Sequence, residues 1–327
     1  MKILVTGGAG YIGSHTVKEL ALAGHHPVVL DDLSRGHRQN VKWGPLVESR
    51  CGDEQKVYEA LLQHEIEAVV HFAAFAYVGE SVVQPRLYFE NNVMQTLHLL
   101  NAMNRAGVRR IVFSSTCATY GDAKRVPIDE SHPQHPVNPY GESKLFVEKM
   151  LAAVGQAEGL QWVALRYFNA SGADPDGELG EDHDPEPHLI PRAILNVLGK
   201  ANLQVFGTDY PTPDGTAVRD YIHVKDLASA HLKSVQHLAD GGHSLAMNLG
   251  TGKGASVMEV IHAIEKCSGR KTSPVMAPRR EGDPPELVAD PSLARSVLDW
   301  ECHYSDLETI VSTAWRWHTR LPETHPE

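Results

Sequence analysis

Two rhythms of apolar and polar positions alternate through the first half of the chain. Lys2-Ile3-Leu4-Val5-Thr6, Pro27-Val28-Val29-Leu30 and Glu67-Ala68-Val69-Val70-His71-Phe72 carry apolar residues at consecutive positions, which predicts strands buried on both faces. Residues 11–23, 54–64 and 86–105 show helical spacing instead. A strand over 109–114, a helix over 139–159 and a strand from Leu160 to Arg166 continue the series. Strands alternating with helices predict an α/β fold built on a doubly wound parallel sheet with right-handed crossovers. Ligands of such sheets lie beyond the carboxyl ends of the strands. That rule selects Gly7–Gly13, Asp31, Phe72–Tyr77, Ser114–Thr116 and Tyr167–Asn169 as one line of site residues.

The texture changes near residue 170. Residues 174–187 are rich in turn formers and acid, which predicts irregular backbone. A helix over 188–200, a strand over 204–206 and a Pro/Gly loop over 207–216 follow. Residues 218–249 return to strand–helix–strand and are expected to complete the large sheet. Ser256 with Glu259 and Ser305 with Glu308 read as capping boxes opening the last two long helices, the first stopping at Gly269. The expected division is 1–170 with 218–250 as one domain, and 171–217 with 251–327 as a smaller, discontinuous α/β substrate lobe.

Composition narrows the function. The 327 residues are 42% hydrophobic and 22% charged, ordinary for a water-soluble globular protein. A formal net charge of −11 argues against nucleic acid or an anionic membrane as partner, and an anionic substrate would need a locally basic pocket. The first residues already form a strand and no apolar run nears membrane-spanning length. The four cysteines lie far apart, which reads as reduced thiols in the cytoplasm. Nineteen histidines invite a metal reading, but prolines interrupt the close pairs His132/His135 and His183/His188, and no catalytic metal is expected.

Chemistry enters at the first strand's end. Gly7, Gly10 and Gly13 follow the strand and open a helix at Tyr11, the pattern that turns the chain tightly and points helix N–H groups at a pyrophosphate. The second strand ends in Asp31, 18 residues after Gly13, where a carboxylate can hold adenosine ribose hydroxyls and repel a 2′-phosphate. Together they predict a Rossmann-type domain that binds NAD. Asn138 and Pro139 are a good N-cap and first helical residue, so Tyr140 and Lys144 lie one turn apart on one helix face. An ammonium there is expected to lower the phenol's pKa, helped by a positive nicotinamide, so that Tyr140 takes a hydroxyl proton near neutral pH. Hydroxyls at Ser114, Ser115 and Thr116 end the neighbouring strand, ready to hydrogen-bond a reacting hydroxyl or the tyrosine.

With these residues in place, the chain resembles the extended short-chain dehydrogenase/reductase superfamily and, within it, the UDP-glucose 4-epimerase family. The resemblance spans essentially the whole length. It rests on T-G-G-A-G-Y-I-G-S-H at 6–15, H-F-A-A at 71–74, G-E-S-V at 79–82, N-N-V at 91–93 and S-S-T at 114–116. It continues with Y-G-E-S-K at 140–144, R-Y-F-N at 166–169, H-L-I-P at 188–191, the stretch 215–224, N-L-G-T-G at 248–252 and R-R-E-G-D at 279–283.

The resemblance implies reversible C4 epimerisation of UDP-glucose and UDP-galactose through a 4-keto sugar, a step of galactose metabolism. It implies Tyr140 as acid/base, Lys144 on the nicotinamide ribose and Thr116 as hydroxyl partner. NAD would be lined by Tyr11, Ile12, Asp31, Asp53, Phe72, Ala73, Asn92 and Phe168. Asn169, His188, Leu189, Phe206, Arg219, Arg280 and Asp283 would hold the UDP-sugar. A homodimer through helices 86–105 and 139–159 is implied as well. Three positions depart from the usual pattern: Thr116 stands where many relatives have serine, 75–77 lacks a lysine that some place near the pyrophosphate, and Leu287 falls at the sugar-pocket gatekeeper. Leucine there is intermediate in bulk, which leaves UDP-N-acetylglucosamine and UDP-pentoses as alternative substrates. A nucleotide-sugar 4,6-dehydratase would carry an acid in the 116–118 stretch, which here reads Thr116-Cys117-Ala118, and a non-catalytic NAD sensor would have no need of both Tyr140 and Lys144.

Overall fold

The computed structural model describes residues 1–280 and 283–320. The first half reads β1 (Lys2–Thr6), α1 (Tyr11–Leu22), β2 (His26–Asp31), β3 (Leu46–Glu48), α2 (Glu54–Gln63), β4 (Ala68–His71), α3 (Val78–Val83), α4 (Pro85–Tyr88), α5 (Gln95–Ala106), β5 (Arg110–Thr116), α6 (Pro139–Glu158) and β6 (Gln161–Tyr167). The second half reads β7 (Asn169–Ser171), α7 (Leu189–Val197), β8 (Leu203–Phe206), β9 (Val218–Arg219), β10 (Tyr221–His223), α8 (Val224–Ala239), β11 (Leu245–Leu249), β12 (Ala255–Ser256), α9 (Val257–Ser268), β13 (Pro274–Ala277), β14 (Glu286–Leu287), α10 (Ser292–Leu298) and α11 (Leu307–Arg320).

Seven strands form one parallel sheet in the order β11-β6-β5-β4-β1-β2-β3. The order reverses direction between β1 and β4, and that switch point opens the ligand crevice of doubly wound sheets. Its faces carry separate cores. One buries Val5, Val70, Leu165 and Met247 against α1 and α8; the other buries Leu4, Val69, Ile111 and Phe113 against α2, α5 and α6. A third apolar cluster joins α7, β8, α9 and α11 through Ile194, Val205, Ile264 and Ile310.

Three expectations need correction. The predicted helix 86–105 is interrupted: α4 passes through a π-turn at Phe89–Met94 before α5. Within that widened turn Asn92 donates to the Phe75 carbonyl and to Ser143 Oγ, a partnership that interrupts the regular helix. Of the segment 218–249, only β11 joins the large sheet; β10 pairs with β7, and β9 with β12 and β14. Asp220 divides β9 from β10, and its carboxylate accepts the Thr251, Gly252 and Ala289 N–H groups, which fastens the bend to neighbouring loops. The capping box at Ser256 and Glu259 is present. The one expected at Ser305 is not: Asp306 accepts the Thr309 N–H, while Ser305 Oγ donates to Asp226. No helix among the described residues is long and apolar enough to cross a membrane.

Candidate active site

The glycine turn is a cradle that side chains would fill. Gly7 adopts φ +70, and a Cβ there would stand 2.6 Å from the Ala73 nitrogen, across the switch point. A Cβ on Gly13 would lie 2.2 Å from the Gly7 carbonyl oxygen. Gly10 caps α1 without a side chain, so Tyr11, Ile12 and Gly13 begin a helix whose positive end faces the crevice. Asp31 is nearly buried and accepts the Ala9 and Leu33 N–H groups at 2.9 Å each. Burial raises its carboxyl above the ordinary range while those two bonds oppose the shift. Phe72 leads out of β4, its ring centroid 4.6 Å from that of His231, and Asn92 accepts the Phe75 N–H at 2.8 Å. Asp53 is an exposed N-cap of α2, accepting the Lys56 N–H. These features fit a dinucleotide: a backbone cradle for the pyrophosphate and a fixed carboxylate one strand away.

Tyr140, Lys144 and Thr116 converge beside it. Asn138 Oδ1 accepts the Gly141 N–H at 2.9 Å and Pro139 opens α6, which sets the helix start and aims both side chains back at β5. Lys144 Nζ donates to the Ser114 carbonyl at 2.8 Å and lies 6.0 Å from the Tyr140 ring centroid. The Thr116 hydroxyl lies near enough to the Tyr140 phenol to favour its ionised form, while it accepts the Ala118 N–H at 3.2 Å. Burial nevertheless raises Tyr140 well above its ordinary value, with the Tyr167 phenol adding to the shift. Burial also pulls Lys144 down to about 7. The expectation that Lys144 lowers the phenol is therefore not met by the protein alone. Both groups are desolvated together, and the ammonium is spent on a carbonyl.

The remaining candidates lie across the crevice. Asn169 begins β7, His188 caps α7, and Leu189 is that helix's first residue. Arg219 pairs with Asp283 at 2.5 Å, and Leu287 sits opposite Arg219 in the β9–β14 register. The Arg280 guanidinium covers the Phe206 ring at 4.0 Å. Leu287 and Phe168 pack in one cluster with Tyr120, Ile128 and Cys117. Cys117, which follows Thr116, is raised to about 12 by burial, with Arg219 opposing. Arg219 and the Thr116 strand end thus share one neighbourhood.

A family model described as the NAD dependent epimerase/dehydratase family matches residues 3–250. The UDP-glucose 4-epimerase of Rhizobium meliloti (strain 1021) is 54% identical over 319 residues, 97% of each chain. The chain belongs to the NAD-dependent epimerase/dehydratase family. Two solved structures of UDP-glucose 4-epimerases share the fold closely. That from Brucella ovis, in complex with NAD, gives a TM-score of 0.95 at 53% identity, covering 96% of this chain and 97% of the other. That from Bifidobacterium longum, in complex with NAD+ and UDP, gives 0.93 at 38% identity, covering 98% of each.

Several contacts that bear on this epimerase-family site have no signal in the local pattern. Tyr167, a strand end within the R-Y-F-N stretch, brings its phenol to Ser114 Oγ. Glu148, one turn beyond Lys144, holds buried Arg166 through both carboxylate oxygens at 2.6–3.2 Å and accepts Ser115 Oγ at 2.5 Å. Its helical spacing from Lys144 was the available clue. Near His188, burial lowers the imidazoles of His183 and His188, but Glu181 and Glu186 outweigh it and raise them to about 9 and about 10. Arg35 lies 5.1 Å and 5.0 Å from the ring centroids of Phe75 and Tyr77, in the stretch that lacks the usual lysine.

Proposed function

We propose that the protein interconverts UDP-glucose and UDP-galactose by epimerisation at C4, with NAD bound throughout. The observation that carries this reading is the meeting of Tyr140, Lys144 and Thr116 beside the glycine cradle at the sheet's switch point. Bound NAD supplies the acceptor, then the donor, of the C4 hydride. Tyr140 takes the C4 hydroxyl proton and later returns it, and Thr116 holds the same hydroxyl in line. Lys144 positions the nicotinamide ribose, and its charge favours the phenolate. Asp31 takes the adenosine ribose, and Tyr11, Ile12, Ala73, Asn92 and Phe168 line the remainder.

Arg219 and Arg280 suit the diphosphate, because guanidinium forks match paired phosphate oxygens, while Phe206 offers a face to uracil. Firm anchoring of UDP with loose holding of the hexose lets the 4-keto sugar turn about its bond to the diphosphate and present its other face. Residues 1–170 with 218–250 form the cofactor half in this reading, and the rest forms the substrate lobe. Four unpaired cysteines, three of them raised to about 12 by burial, are compatible with a cytoplasmic protein.

A homodimer belongs to the same reading. Val82, Val83, Met94, Leu97 and Phe146 are large, apolar and 46–80% exposed on α3, the π-turn, α5 and α6. Such a patch calls for a partner. Sedimentation at micromolar concentration is expected to give twice the monomer mass; a monomer would reject this assembly. The reaction is tested by NMR after incubation with UDP-galactose and no added NAD, with UDP-N-acetylglucosamine and a UDP-pentose in parallel. Growth of UDP-glucose is the expected result. Absence of conversion by protein that retains NAD would overturn the proposal, and faster conversion of another sugar would reassign the substrate.

A further inference from the structure

The loop between β7 and α7 carries a constellation of which only His188 is among the residues expected to hold the UDP-sugar. Glu181, His183, Glu186 and His188 direct four ligand atoms at one point, all within 4.8 Å of one another. His183 Nδ1 lies 3.1 Å from Glu181 Oε1 and 3.6 Å from Glu186 Oε2. His188 Nδ1 lies 2.5 Å from Glu181 Oε1 and 3.3 Å from Glu186 Oε1. In a tetrahedral site with metal–ligand bonds near 2.1 Å, neighbouring donors stand about 3.4 Å apart. The 3.1, 3.3 and 3.6 Å separations lie close to that edge, the last two to different Glu186 oxygens, while His188 and Glu181 stand closer, as a hydrogen-bonded pair that a cation would part.

We infer that these four residues form a binding site for a divalent transition-metal cation of the zinc class. Two imidazole nitrogens with two carboxylates are a donor set for zinc and its neighbours, and too rich in nitrogen for magnesium or calcium. Among the described residues, neither carboxylate pairs with a lysine or arginine. The contrast with the chain's other convergent acidic group is direct. Asp174, Asp176 and Glu178 surround Lys18 Nζ at 2.8, 2.9 and 2.7 Å, so that group already holds its cation.

The donors are also held before any cation arrives. Glu181 is buried, and its carbonyl accepts Trp317 Nε1 at 2.9 Å. A Cβ on Gly180 would strike the Trp317 ring at 2.3 Å, so this part of the loop is packed tightly. The His183 ring stands edge-on to Tyr11 at 6.2 Å and to Tyr77 at 5.8 Å, which fixes its plane. Ligands locked by such outer contacts bind with little reorganisation. Four protein ligands describe a closed, structural site that would fasten the loop to the start of α7.

The test uses the full-length protein, stripped with a chelator and retaining its NAD. Co2+ is titrated and read by visible absorption and by metal analysis after desalting. One equivalent per chain with an intense four-coordinate spectrum, abolished by Zn2+, is expected. Glu181→Gln and His183→Ala should each weaken binding at least about tenfold, while His262→Ala, away from the loop, should not. Glu181 is buried and its variant is vulnerable to misfolding, so the partly exposed His183 decides. Absence of saturable binding, or binding unchanged in His183→Ala, would overturn the assignment. Two plain imidazole–carboxylate ion pairs would give that result.

Discussion

Lys144 and Tyr140 share one face of α6, yet the lysine ammonium donates to the Ser114 carbonyl at 2.8 Å and not to the phenol. The buried ammonium, pulled down to about 7, has only Glu148 acting to raise it. A lysine whose folded pKa lies below its unfolded value of about 10.5 destabilises the fold below the folded pKa, and the penalty is relieved as pH rises between the two. NAD-free Lys144→Met should therefore be more stable than the parent at neutral pH, with the difference shrinking towards about pH 10. Urea unfolding at several pH values measures it. The same variant should lose turnover, because the protein's own cation beside the phenolate is then gone.

Tyr140→Phe removes the proton carrier and keeps the ring. Turnover should fall by about 10²–10⁴-fold, with NAD content unchanged by extraction and absorbance. Near-normal rates would remove Tyr140 from the chemistry.

Thr116 separates hydroxyl from shape. Thr116→Ser keeps a hydroxyl beside Tyr140 and should stay within a few-fold of the parent. Thr116→Val keeps the volume, removes the hydroxyl and should lower kcat by about tenfold or more, the loss of one hydrogen bond to a charged group. Steady-state kinetics distinguish the two.

Glu148 and Arg166 form a buried ion pair, the arginine raised against the pull of burial by the carboxylate beside it. Glu148→Leu strands the guanidinium and should cost about 3–5 kcal/mol of stability. Glu148→Leu combined with Arg166→Leu should recover much of that loss, since burying neither charge is often neutral. Chemical denaturation of these two variants, of Arg166→Leu alone and of the parent closes the cycle.

Acid should weaken the fold before carboxylates titrate. Burial lowers His71 and His223 to about 3, and His15 and His231 to about 4. Each is neutral when folded and gains a proton on unfolding once the pH drops below about 6.5. Stability is therefore full above that value and lost progressively towards pH 4. The urea midpoint should drop between about pH 7.5 and about pH 5.5. His231→Leu should flatten the slope, since the His231 Nε2 atom is buried with no hydrogen-bond partner among the described residues.

The first half of this chain was legible because its signals are local. Apolar runs such as Ile3–Val5 set buried strands, Asn138-Pro139 starts a helix, and glycines at 7 and 13 permit one turn that a Cβ would block. Chain order and spacing alone placed Tyr140 and Lys144 together, since one helical turn fixes their relation. What the chain could not declare was solvation. Whether a phenol is lowered by its lysine or raised by burial depends on the packing of β5, β6 and α6 around it, contributed by residues far apart in sequence. The His183–His188 loop carries the same lesson: prolines deny it any helical register, and Trp317, Tyr11 and Tyr77 bring its side chains to one point. Local propensity determined the elements, whereas desolvation and long-range contact, properties of the assembled fold, decided the charge of each group within it.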